Sequence, residues 1–347
     1  MAQAGAPPFV SVIVPCRNEE PFIEACLCSI LSSDFSRDRF EVLVVDGMSD
    51  DRTRSIVERI AAREPSVRLV DNPGRTAPAA MNVGIARARG SVIVRLDAHC
   101  RYPADYLRLC TEWLSSSGAD NVGGLVRTLP ANGTAKAAAI AAALSHRFGV
   151  GNAHFRVGTS EARWVDTVPF GCYRREVFDR IGLFDEDLVR NQDDEMNARL
   201  IRHGGRILLV PAIVSDYVAR ESLATLWRMY FQYGYFKPLA ARRAGGFWTV
   251  RQLVPAAFVG GLALIAVVSV PVAAMRAVLA AALLMYGAAD IAFSVRTAGR
   301  HGIQRVMWLA LAFPTLHVSY GTGFLRGILD FSILRRQRAP HPVALAR

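Results

Sequence analysis

An aspartate and a histidine two positions apart follow an apolar run in the segment VIVRLDAHCRYP, residues 92–103. In an extended segment the side chains alternate between faces, so Asp97 and His99 point the same way. A carboxylate and an imidazole side by side are ordinary ligands of a divalent metal. Two ligands do not make a site, however, and Tyr102-Pro103 is typical of a turn that ends a strand. The pair is therefore half of a metal site or part of an ordinary turn.

Three consecutive carboxylates, Asp193, Asp194 and Glu195, lie near the start of the segment NQDDEMNARLIRHGG. The apolar residues that follow them have helical spacing, so the carboxylates are predicted to lie near a helix N-terminus. The helix dipole favours carboxylates there, which would account for one or two of them. Three in a row leave one available for chemistry.

Apolar runs separated by helical stretches must position these groups. The runs FVSVIVP, FEVLVVD, VRLV and SVIVRLD begin at residues 9, 40, 67 and 91, and helices are predicted over about 21–31, 51–62 and 77–88. Continuously apolar strands alternating with helices predict an α/β protein with a parallel sheet covered on both faces. In such sheets ligands gather at the C-terminal ends of the strands. The polar segments PCRNEE, DGMSDD, DNPGRTAPAAMN and DAHC all stand there, which favours the metal interpretation of Asp97 and His99.

The positive charge and the apolar residues of this 347-residue chain are concentrated toward its C-terminus. Of the 41 Lys and Arg and the 30 Asp and Glu, residues 220–347 hold 15 and 3. Residues 253–275 contain no charged residue, and residues 277–289 continue the apolar run after Arg276. About 20 apolar residues cross a bilayer as a helix, and flanking basic charge is typical of a cytoplasmic membrane face. The pattern predicts membrane association and argues against nucleic-acid binding.

Four regions follow from these patterns. We expect a cytosolic α/β domain over 1–219, an amphipathic interfacial segment over 220–252, a membrane domain over 253–334 and a basic tail over 335–347. Residues 221–248 mix aromatic and basic side chains, which predicts a helix in the lipid headgroup layer or, alternatively, a packed aromatic linker. Pro314 interrupts the apolar residues 306–329, where we expect a re-entrant or interfacial hairpin, or a third membrane segment, beside two transmembrane helices. The first ten residues lack basic and apolar signal-peptide regions, so no signal peptide is expected.

These segments resemble the inverting family 2 glycosyltransferases of the GT-A fold, and among them the membrane-associated succinoglycan-type exopolysaccharide enzymes. The resemblance covers roughly residues 9–240. It runs through VSVIVPCRNEE, VLVVDGMSDDRT, NPGRTAPAAMNVGI, VRLDAHCRYP, FGCYRREVF and NQDDEMNARL. It implies a Rossmann-like, mostly parallel sheet covered by helices and followed by interfacial and transmembrane helices. It also implies transfer of a sugar, expected to be glucose, from a UDP-sugar.

The same similarity implies roles for individual residues. Pro15, Arg17, Asn18 and Glu19 would line the nucleotide end of the pocket, Asp46 would contact the uracil or ribose, and Arg75 and Asn82 would lie near the donor diphosphate and sugar. Asp97-Ala98-His99 takes the place of the family's Asp-X-Asp motif, which holds a metal against the donor. Asp193 takes the place of the catalytic base, with Asp194 and Glu195 as supporting carboxylates. Gly171 would lie in the acceptor-facing loop, unless that segment is an ordinary turn.

The acceptor implied by the resemblance is a glycan on polyprenyl diphosphate at the inner membrane. Arg228, Gln232 and Lys237 are spaced four and five apart, on adjoining faces of a helix, and could neutralise the lipid diphosphate.

Two positions depart from the family pattern. His99 stands where the family usually has aspartate, which favours Mn²⁺ over Mg²⁺ because imidazole suits transition metals. Gln192 precedes Asp193 where many relatives carry glutamate.

Two other functions stay open. One is a polyprenyl-phosphate glycosyltransferase, in which the acceptor phosphate is already ionised and needs no base, so Asp193 favours a hydroxyl acceptor instead. The other is a non-catalytic nucleotide-sugar-binding subunit of a polysaccharide assembly complex. The presence of Asp97 and Asp193 argues against a chain that has lost its chemistry.

Overall fold

The computed structural model describes residues 9–246, 249–299 and 302–339. The predicted absence of a signal peptide concerns residues that lie almost wholly outside these ranges. Residues 340–347 of the basic tail, and the last two residues of the aromatic segment, also lie outside them. The chain divides into two compact units, one of residues Met1–Arg127 with Gly158–Tyr217 and one of Thr128–Val157 with Val218–Arg347.

Nine strands form one sheet. They are β1 (Val10–Cys16), β2 (Phe40–Asp46), β3 (Val67–Asp71), β4 (Val92–Arg95), β5 (Cys100–Arg101), β6 (Asn121–Leu129), β7 (Arg163–Trp164), β8 (Cys172–Arg174) and β9 (Ile207–Val218). The helices of the first unit are α1 (Ile23–Leu31), α2 (Thr53–Ala61), α3 (Ala77–Arg87), α4 (Tyr106–Ser116), α8 (Glu176–Ile181) and α9 (Gln192–Arg202), with a 3₁₀ turn at Arg37–Arg39.

The sheet is parallel in one half and antiparallel in the other. Its order is β3-β2-β1-β4-β8-β6-β9-β5, and β7 pairs with β9. Strands β1 to β4 are parallel, as predicted, with Val10 opposite Phe40 and Val92. Strand β8 then pairs antiparallel with both β4 and β6. The expected mostly parallel sheet is therefore a mixed sheet.

The parallel half has the buried core that its apolar runs predict. Every residue of β2 is buried, and so is every residue of β1 except the half-buried Pro15. Helix α3 packs closely on β1, because a Cβ added at Gly84 would lie 2.6 Å from Ile13 Cγ2. Because β1 pairs parallel with β2 and β4, the C-terminal ends of these strands lie at the same edge of the sheet, which we call the catalytic edge.

The second unit is helical. It contains α5 (Ala135–Leu144), α6 (Arg147–Val150), α7 (His154–Val157), α10 (Leu223–Arg243), α11 (Val250–Val268), α12 (Ala273–Ala298), α13 (Ile303–Gly327) and a π-helical turn at Ile328–Ile333. Helices α11 and α12 are long and apolar enough to cross a membrane, and most of their apolar side chains are exposed. They correspond to the two predicted transmembrane helices.

Helices α10 and α13 pack with their backbones in close contact. A Cβ added at Gly234 would lie 2.1 Å from the carbonyl oxygen of Tyr320, and one at Gly323 would lie 2.1 Å from that of Phe231. The predicted hairpin over 306–329 is wrong, because α13 is one continuous helix with Pro314 inside it. The aromatic segment is helical as predicted, but most of its aromatic side chains are buried or half-buried. Packing within the helical unit accounts for these aromatic side chains, which agrees with the alternative of a packed aromatic linker. Placement of the helix in a lipid headgroup layer stays a prediction.

Candidate active site

The loops that follow the parallel strands are tied together at the catalytic edge. The backbone N–H of Asn18 donates to Ser49 Oγ at 2.8 Å, and that of Glu19 donates to Thr53 Oγ1 at 2.8 Å. These bonds join the loop after β1 to the loop after β2. Glu19 Oε1 in turn lies 3.4 Å from His99 Nδ1, in the turn after β4. The predicted convergence of polar segments is therefore present at this edge.

Asp97 and His99 lie in a turn, not in an extended strand, because β4 ends at Arg95. The hydroxyl of Tyr102 closes the turn: it accepts from the Asp97 N–H at 2.8 Å and donates to the Asp97 carbonyl at 3.2 Å. Alternation along a strand therefore does not account for the closeness of the two side chains. The turn itself brings the His99 ring close enough to the Asp97 carboxylate to act on it electrostatically.

Arg95 connects the metal candidate to the base candidate. Its Nε and Nη2 donate to Asp97 Oδ1 at 3.1 and 3.0 Å, and its Nη1 forms an ion pair with Asp193. The Arg95 side chain is 8% exposed, whereas those of Asp97 and Asp193 are 23% and 31% exposed. One buried guanidinium thus holds two solvent-accessible carboxylates in a single group, which we call the Arg95 cluster.

The two carboxylates of the Arg95 cluster differ in acidity. Burial alone would raise the pKa of Asp97, but the charges of Arg95, His99 and Arg190 outweigh it and hold that pKa below its ordinary value. Burial raises the pKa of Asp193, and the neighbouring carboxylates Asp97 and Asp194 raise it further against the opposing effect of Arg95. Environments that push two carboxylate pKa values apart are typical of acid–base chemistry. Asp97 is thus suited to permanent negative charge and Asp193 to accepting a proton.

Helix α9 positions the three consecutive carboxylates in its first turn, as predicted. Asn191 precedes the helix in the left-handed region with φ +60°. Glu195 is buried and accepts from Arg199 Nε and Nη2 at 2.8 and 2.9 Å. Arg199 also donates to the Ile181 carbonyl and, at 2.8 Å, to that of Leu183. Glu195 therefore orients Arg199, which anchors α9 to the preceding segment, and the role of Asp194 and Glu195 as supporting carboxylates stays a prediction.

Asp46 lies fully buried at the end of β2. Its carboxylate accepts from the Ser49 N–H at 2.9 Å, from the Ser49 hydroxyl and from Arg54 Nη1 at 2.8 Å. Arg54 also bonds Asp71 at 2.9 Å, which joins the ends of β2 and β3. A direct contact between Asp46 and a uracil or ribose stays a prediction. In the structure, its carboxylate orders the loops around the expected nucleotide end.

The other residues expected at the nucleotide end differ in exposure. Arg17 and Arg75 are exposed, and both lie close to Gly47, where an added Cβ would be 3.2 Å from Arg17 Cβ and 3.4 Å from Arg75 Cα. Pro15 is half-buried at the end of β1. Asn18 has φ +54°, and its Oδ1 accepts from the Asp50 N–H at 3.0 Å. These residues are thus brought together at the catalytic edge, with two arginines open to solvent, and their contact with a nucleotide stays a prediction.

Asn82 and Gly171 have structural neighbours that account for them. The Asn82 amide donates to the Phe184 carbonyl at 2.9 Å and accepts from the Phe184 N–H at 2.9 Å. It thereby ties α3 to the loop before α9. A Cβ added at Gly171 would lie 2.5 Å from Tyr173 and 2.6 Å from Asn121 Oδ1, so the glycine is required by packing beside β8. Contacts of Asn82 with a donor and of Gly171 with an acceptor stay predictions.

The three residues expected to meet a lipid diphosphate do not share one exposed surface. Arg228 is exposed on α10, whereas Gln232 and Lys237 are buried within the helical unit. A diphosphate could reach the buried two only if the helices around them moved.

The side chains around Asp97 and His99 supply only some of the ligands that a divalent metal needs. Across residues 9–246, 249–299 and 302–339, no group of three or more His, Cys, Asp or Glu side chains is arranged to hold a metal ion. Asp97 and His99 offer one carboxylate and one imidazole, both ordinary metal ligands. The donor diphosphate would have to supply further oxygens, as is common where a metal bridges a protein carboxylate to phosphates.

Arg95 and Arg190 are functional candidates that the sequence patterns did not single out. Arg95 lies within the apolar run SVIVRLD, and a charge at a buried strand position is the signal that could have drawn attention to it. Arg190 lies just before α9 and acts electrostatically on Asp97. Both place positive charge beside the carboxylates of the Arg95 cluster.

Removing the Arg95 charge is expected to destabilise the fold. In an Arg95→Gln variant, Asp97 and Asp193 lose the cation that compensates them, which costs about 3 kcal/mol when a buried partner is removed. Urea unfolding of the full chain, followed by circular dichroism, measures the loss. Arg180→Gln is the matched control, because its pair with Asp120 has an arginine that is 44% exposed. Equal, small losses in both variants would contradict the bridging role.

Two solved structures share this fold. The mannosyltransferase PcManGT from Pyrobaculum calidifontis, solved with GDP-Man and Mn²⁺, matches with a TM-score of 0.61 at 23% identity, over 94% of this chain and 88% of that one. TarS 1–349 of S. aureus, solved with UDP-GlcNAc, matches with a TM-score of 0.54 at 17% identity, over 94% and 92%. These likenesses place the chain in the GT-A fold class that the sequence resemblance implied.

The sequence comparisons define the family. The Glycosyl transferase family 2 profile matches residues 11–182. The succinoglycan biosynthesis protein ExoA of Rhizobium meliloti is 31% identical over 92% of this chain and 95% of its own length. A dolichyl N-acetyl-alpha-D-glucosaminyl phosphate 3-beta-D-2,3-diacetamido-2,3-dideoxy-beta-D-glucuronosyltransferase of Methanococcus voltae is 28% identical over 72% and 78%. The chain belongs to glycosyltransferase family 2, and it is a glycosyltransferase.

Proposed function

We propose that this glycosyltransferase moves glucose from UDP-glucose, with inversion, onto a glycan carried by polyprenyl diphosphate, in the synthesis of an extracellular polysaccharide. The observation that carries the proposal is the Arg95 cluster, which places a permanently charged carboxylate beside a carboxylate of raised pKa. In a single displacement, a charged carboxylate such as Asp97 can bind the metal that accompanies the leaving nucleotide. A carboxylate of raised pKa such as Asp193 can act as the base for the attacking hydroxyl.

The names of the two sequence relatives support the substrate class. One is a succinoglycan biosynthesis protein, and the other is named for transfer to a sugar carried on a dolichyl phosphate lipid. The solved structures of the fold were obtained with nucleotide sugars, GDP-Man in one case and UDP-GlcNAc in the other. A nucleotide-sugar donor and a lipid-linked sugar acceptor are therefore the natural substrates to propose.

In the mechanism we propose, Asp193 accepts the proton of the acceptor hydroxyl as its oxygen attacks the anomeric carbon. Arg95 positions Asp193 and Asp97 relative to each other through its two ion pairs. Mn²⁺ or Mg²⁺ held by Asp97 and His99 would neutralise charge on the leaving diphosphate. Arg190, beside Asp97, adds positive charge at the same place. Arg17 and Arg75, both exposed at the nucleotide end, would contact the donor.

The location we propose is the inner membrane, with the first unit on the cytosolic side. The two apolar helices α11 and α12 are the support for membrane association. UDP-sugars are cytosolic, so the catalytic edge has to face the cytosol. The basic residues Arg296 and Arg305, at and after the C-terminal end of α12, fit that side by the positive-inside rule, although Arg300 of the same stretch lies outside the described residues.

Release of UDP from UDP-glucose tests the proposed reaction. We expect the full chain, in detergent with lipid extract from a polysaccharide-producing bacterium, to release UDP at least tenfold faster than without the extract. EDTA should stop the release, and Mn²⁺ should restore it. A requirement for a polyprenyl phosphate without sugar would favour the alternative glycosyltransferase, and the absence of any release with a donor panel would favour the non-catalytic subunit.

A further inference from the structure

The helical unit contains a cavity of about 590 Å³, widely open to solvent, at the C-terminal end of α10. The π-helical turn Ile328–Ile333 and the residues after it form its other wall. Its lining combines two guanidinium groups, Arg242 and Arg335, with the apolar side chains of Pro238, Ala241 and Phe331. A cavity with cations on one part and apolar atoms on another is suited to an amphiphilic anion.

The cationic wall is built into the fold. Arg242 Nη1 donates to the Phe331 carbonyl, and its Nη2 donates to the Arg336 carbonyl at 2.9 Å. Both acceptors are neutral carbonyls, so these bonds hold the guanidinium at the cavity without neutralising its positive charge. The guanidinium can therefore still attract a bound anion.

The carboxylate of Asp330, which precedes Phe331 in the chain, is already compensated. Its Oδ2 accepts from the Tyr235 hydroxyl at 2.8 Å and from Arg326 at 3.0 Å, and its Oδ1 lies 3.2 Å from Arg336 Nη1. Asp330 is 1% exposed, so it is occupied by these partners beneath the surface. It does not neutralise Arg242 or Arg335.

Arg335 is exposed at the cavity. Within the described ranges 9–246, 249–299 and 302–339, no hydrogen bond or ion pair engages its side chain. Its backbone has φ +52°, a left-handed conformation that is unfavourable for a non-glycine residue. Such strain is commonly kept where a residue serves a site. The guanidinium offers five donors in a planar fork that suits phosphate oxygens.

Exposed apolar side chains adjoin the cationic wall. Leu329 and Ile333, on the turn that carries Phe331, are 38% and 66% exposed, and Leu334, between that turn and Arg335, is 52% exposed. Exposed leucine and isoleucine beside arginines match a ligand with a hydrocarbon chain next to its phosphate. A soluble nucleotide or free phosphate would leave this apolar surface unused.

We propose that this cavity binds the phosphate of a membrane lipid, with Arg335 and Arg242 donating to phosphate oxygens and the apolar turn contacting the lipid chain. Two lipids share that chemistry: the prenyl diphosphate of the acceptor, and a phospholipid of the bilayer. The first identity rests on the proposed function, and we take it as the occupant. The site thus replaces α10 residues Gln232 and Lys237, which are buried, as the place where lipid diphosphate meets the chain.

Calorimetric titration of the full chain in detergent tests the site. The probes are farnesyl diphosphate, dioctanoyl phosphatidic acid and inorganic pyrophosphate, each added with excess UDP so that the nucleotide end is occupied. We expect farnesyl diphosphate to bind at least tenfold more tightly than pyrophosphate. Arg335→Gln should weaken farnesyl diphosphate binding about tenfold, since charge-assisted bonds to phosphate are strong, and Arg335→Lys should weaken it less.

Two further variants protect the test from a folding artefact. Ser332→Trp, at an exposed residue of the lining, should fill the cavity and weaken binding without changing charge. Arg147→Gln removes an exposed arginine of the same unit away from the cavity and should leave the affinity within twofold. Affinities that do not change with Arg335→Gln and Ser332→Trp, or pyrophosphate binding as tight as that of both lipids, would overturn the proposal.

Comparing the two lipids tests which lipid occupies the cavity independently of the proposed transfer reaction. Tighter binding of farnesyl diphosphate than of phosphatidic acid supports the acceptor as occupant. Equal binding of the two supports the lipid-phosphate site but overturns its identity as the acceptor site. The titrations contain no sugar donor and do not measure transfer. Their results can therefore be interpreted even if the chain does not catalyse the proposed reaction.

Discussion

Replacing Asp97 with alanine is expected to lower sugar transfer at least 10³-fold and to remove EDTA-sensitive binding of the donor. Asp97 is the carboxylate of lowered pKa in the Arg95 cluster, so it keeps its charge for a metal across the working pH range. Loss of a group that stabilises transition-state charge costs about 10²–10³ in rate, and loss of the metal would add to it. UDP release and equilibrium donor binding, each with and without EDTA, measure the two effects.

Controls separate a lost metal ligand from a lost fold. Asp179→Ala removes an exposed carboxylate from α8 of the same unit and should leave both readouts unchanged. His99→Asp restores the common family motif, so it should keep activity and shift the metal preference from Mn²⁺ toward Mg²⁺. If chelators, Asp97→Ala and His99→Asp all leave activity intact, Asp97 and His99 do not hold a metal.

Replacing Asp193 with asparagine is expected to lower turnover by about 10²–10⁴, the usual contribution of a general base. Donor binding should stay within a few-fold, because the base acts only in the transition state. Asp194→Asn changes the same charge one residue further along α9 and should cost at least tenfold less. Near-normal turnover in Asp193→Asn would remove Asp193 from this role.

The raised pKa of Asp193 gives the same variant a second readout. The base must be ionised to accept a proton, so activity is present above its folded-state pKa and is lost as the pH falls through it. Because burial and neighbouring carboxylates raise that pKa, the acid limb of kcat/KM should lie at a higher pH than an unperturbed aspartate would give. An acid limb at the ordinary aspartate position would show that Asp193 does not set the profile.

Ionised Asp97 and ionised Asp193 contribute to the free energy of unfolding with opposite signs. Asp97, whose pKa is lowered, stabilises the folded state above its unfolded-state pKa, and this contribution is lost as the pH falls through the folded-state pKa. Asp193, whose pKa is raised, opposes folding once it ionises. In the Arg95 cluster, the raised pKa that suits Asp193 to act as a base also lowers the free energy of unfolding at neutral pH.

The amino-acid sequence alone determined the parallel half of the sheet and the two apolar helices. Strands β1 and β2 are seven-residue runs of mainly apolar residues, and such runs between helices have few alternatives to a buried parallel sheet. Their polar ends were predictable for the same reason, since parallel strands end at one edge. The acidic start of α9 was visible from helical spacing. Helices α11 and α12 were visible from length and composition.

Only the tertiary structure decided how these parts meet. Strands β5 and β7 have two residues each and β8 has three, too few for any periodicity to be read, so the strands that pair with β6 and β9 stayed hidden. Long-range pairing through β8 then brings Arg95 to Asp193, 98 positions along the chain. The burial of Gln232 and Lys237 was equally unreadable, because α10 is covered by α13 through glycine contacts on both helices. A local pattern reports which face of an element is apolar, but which cation lies between two carboxylates is set by contacts between distant segments.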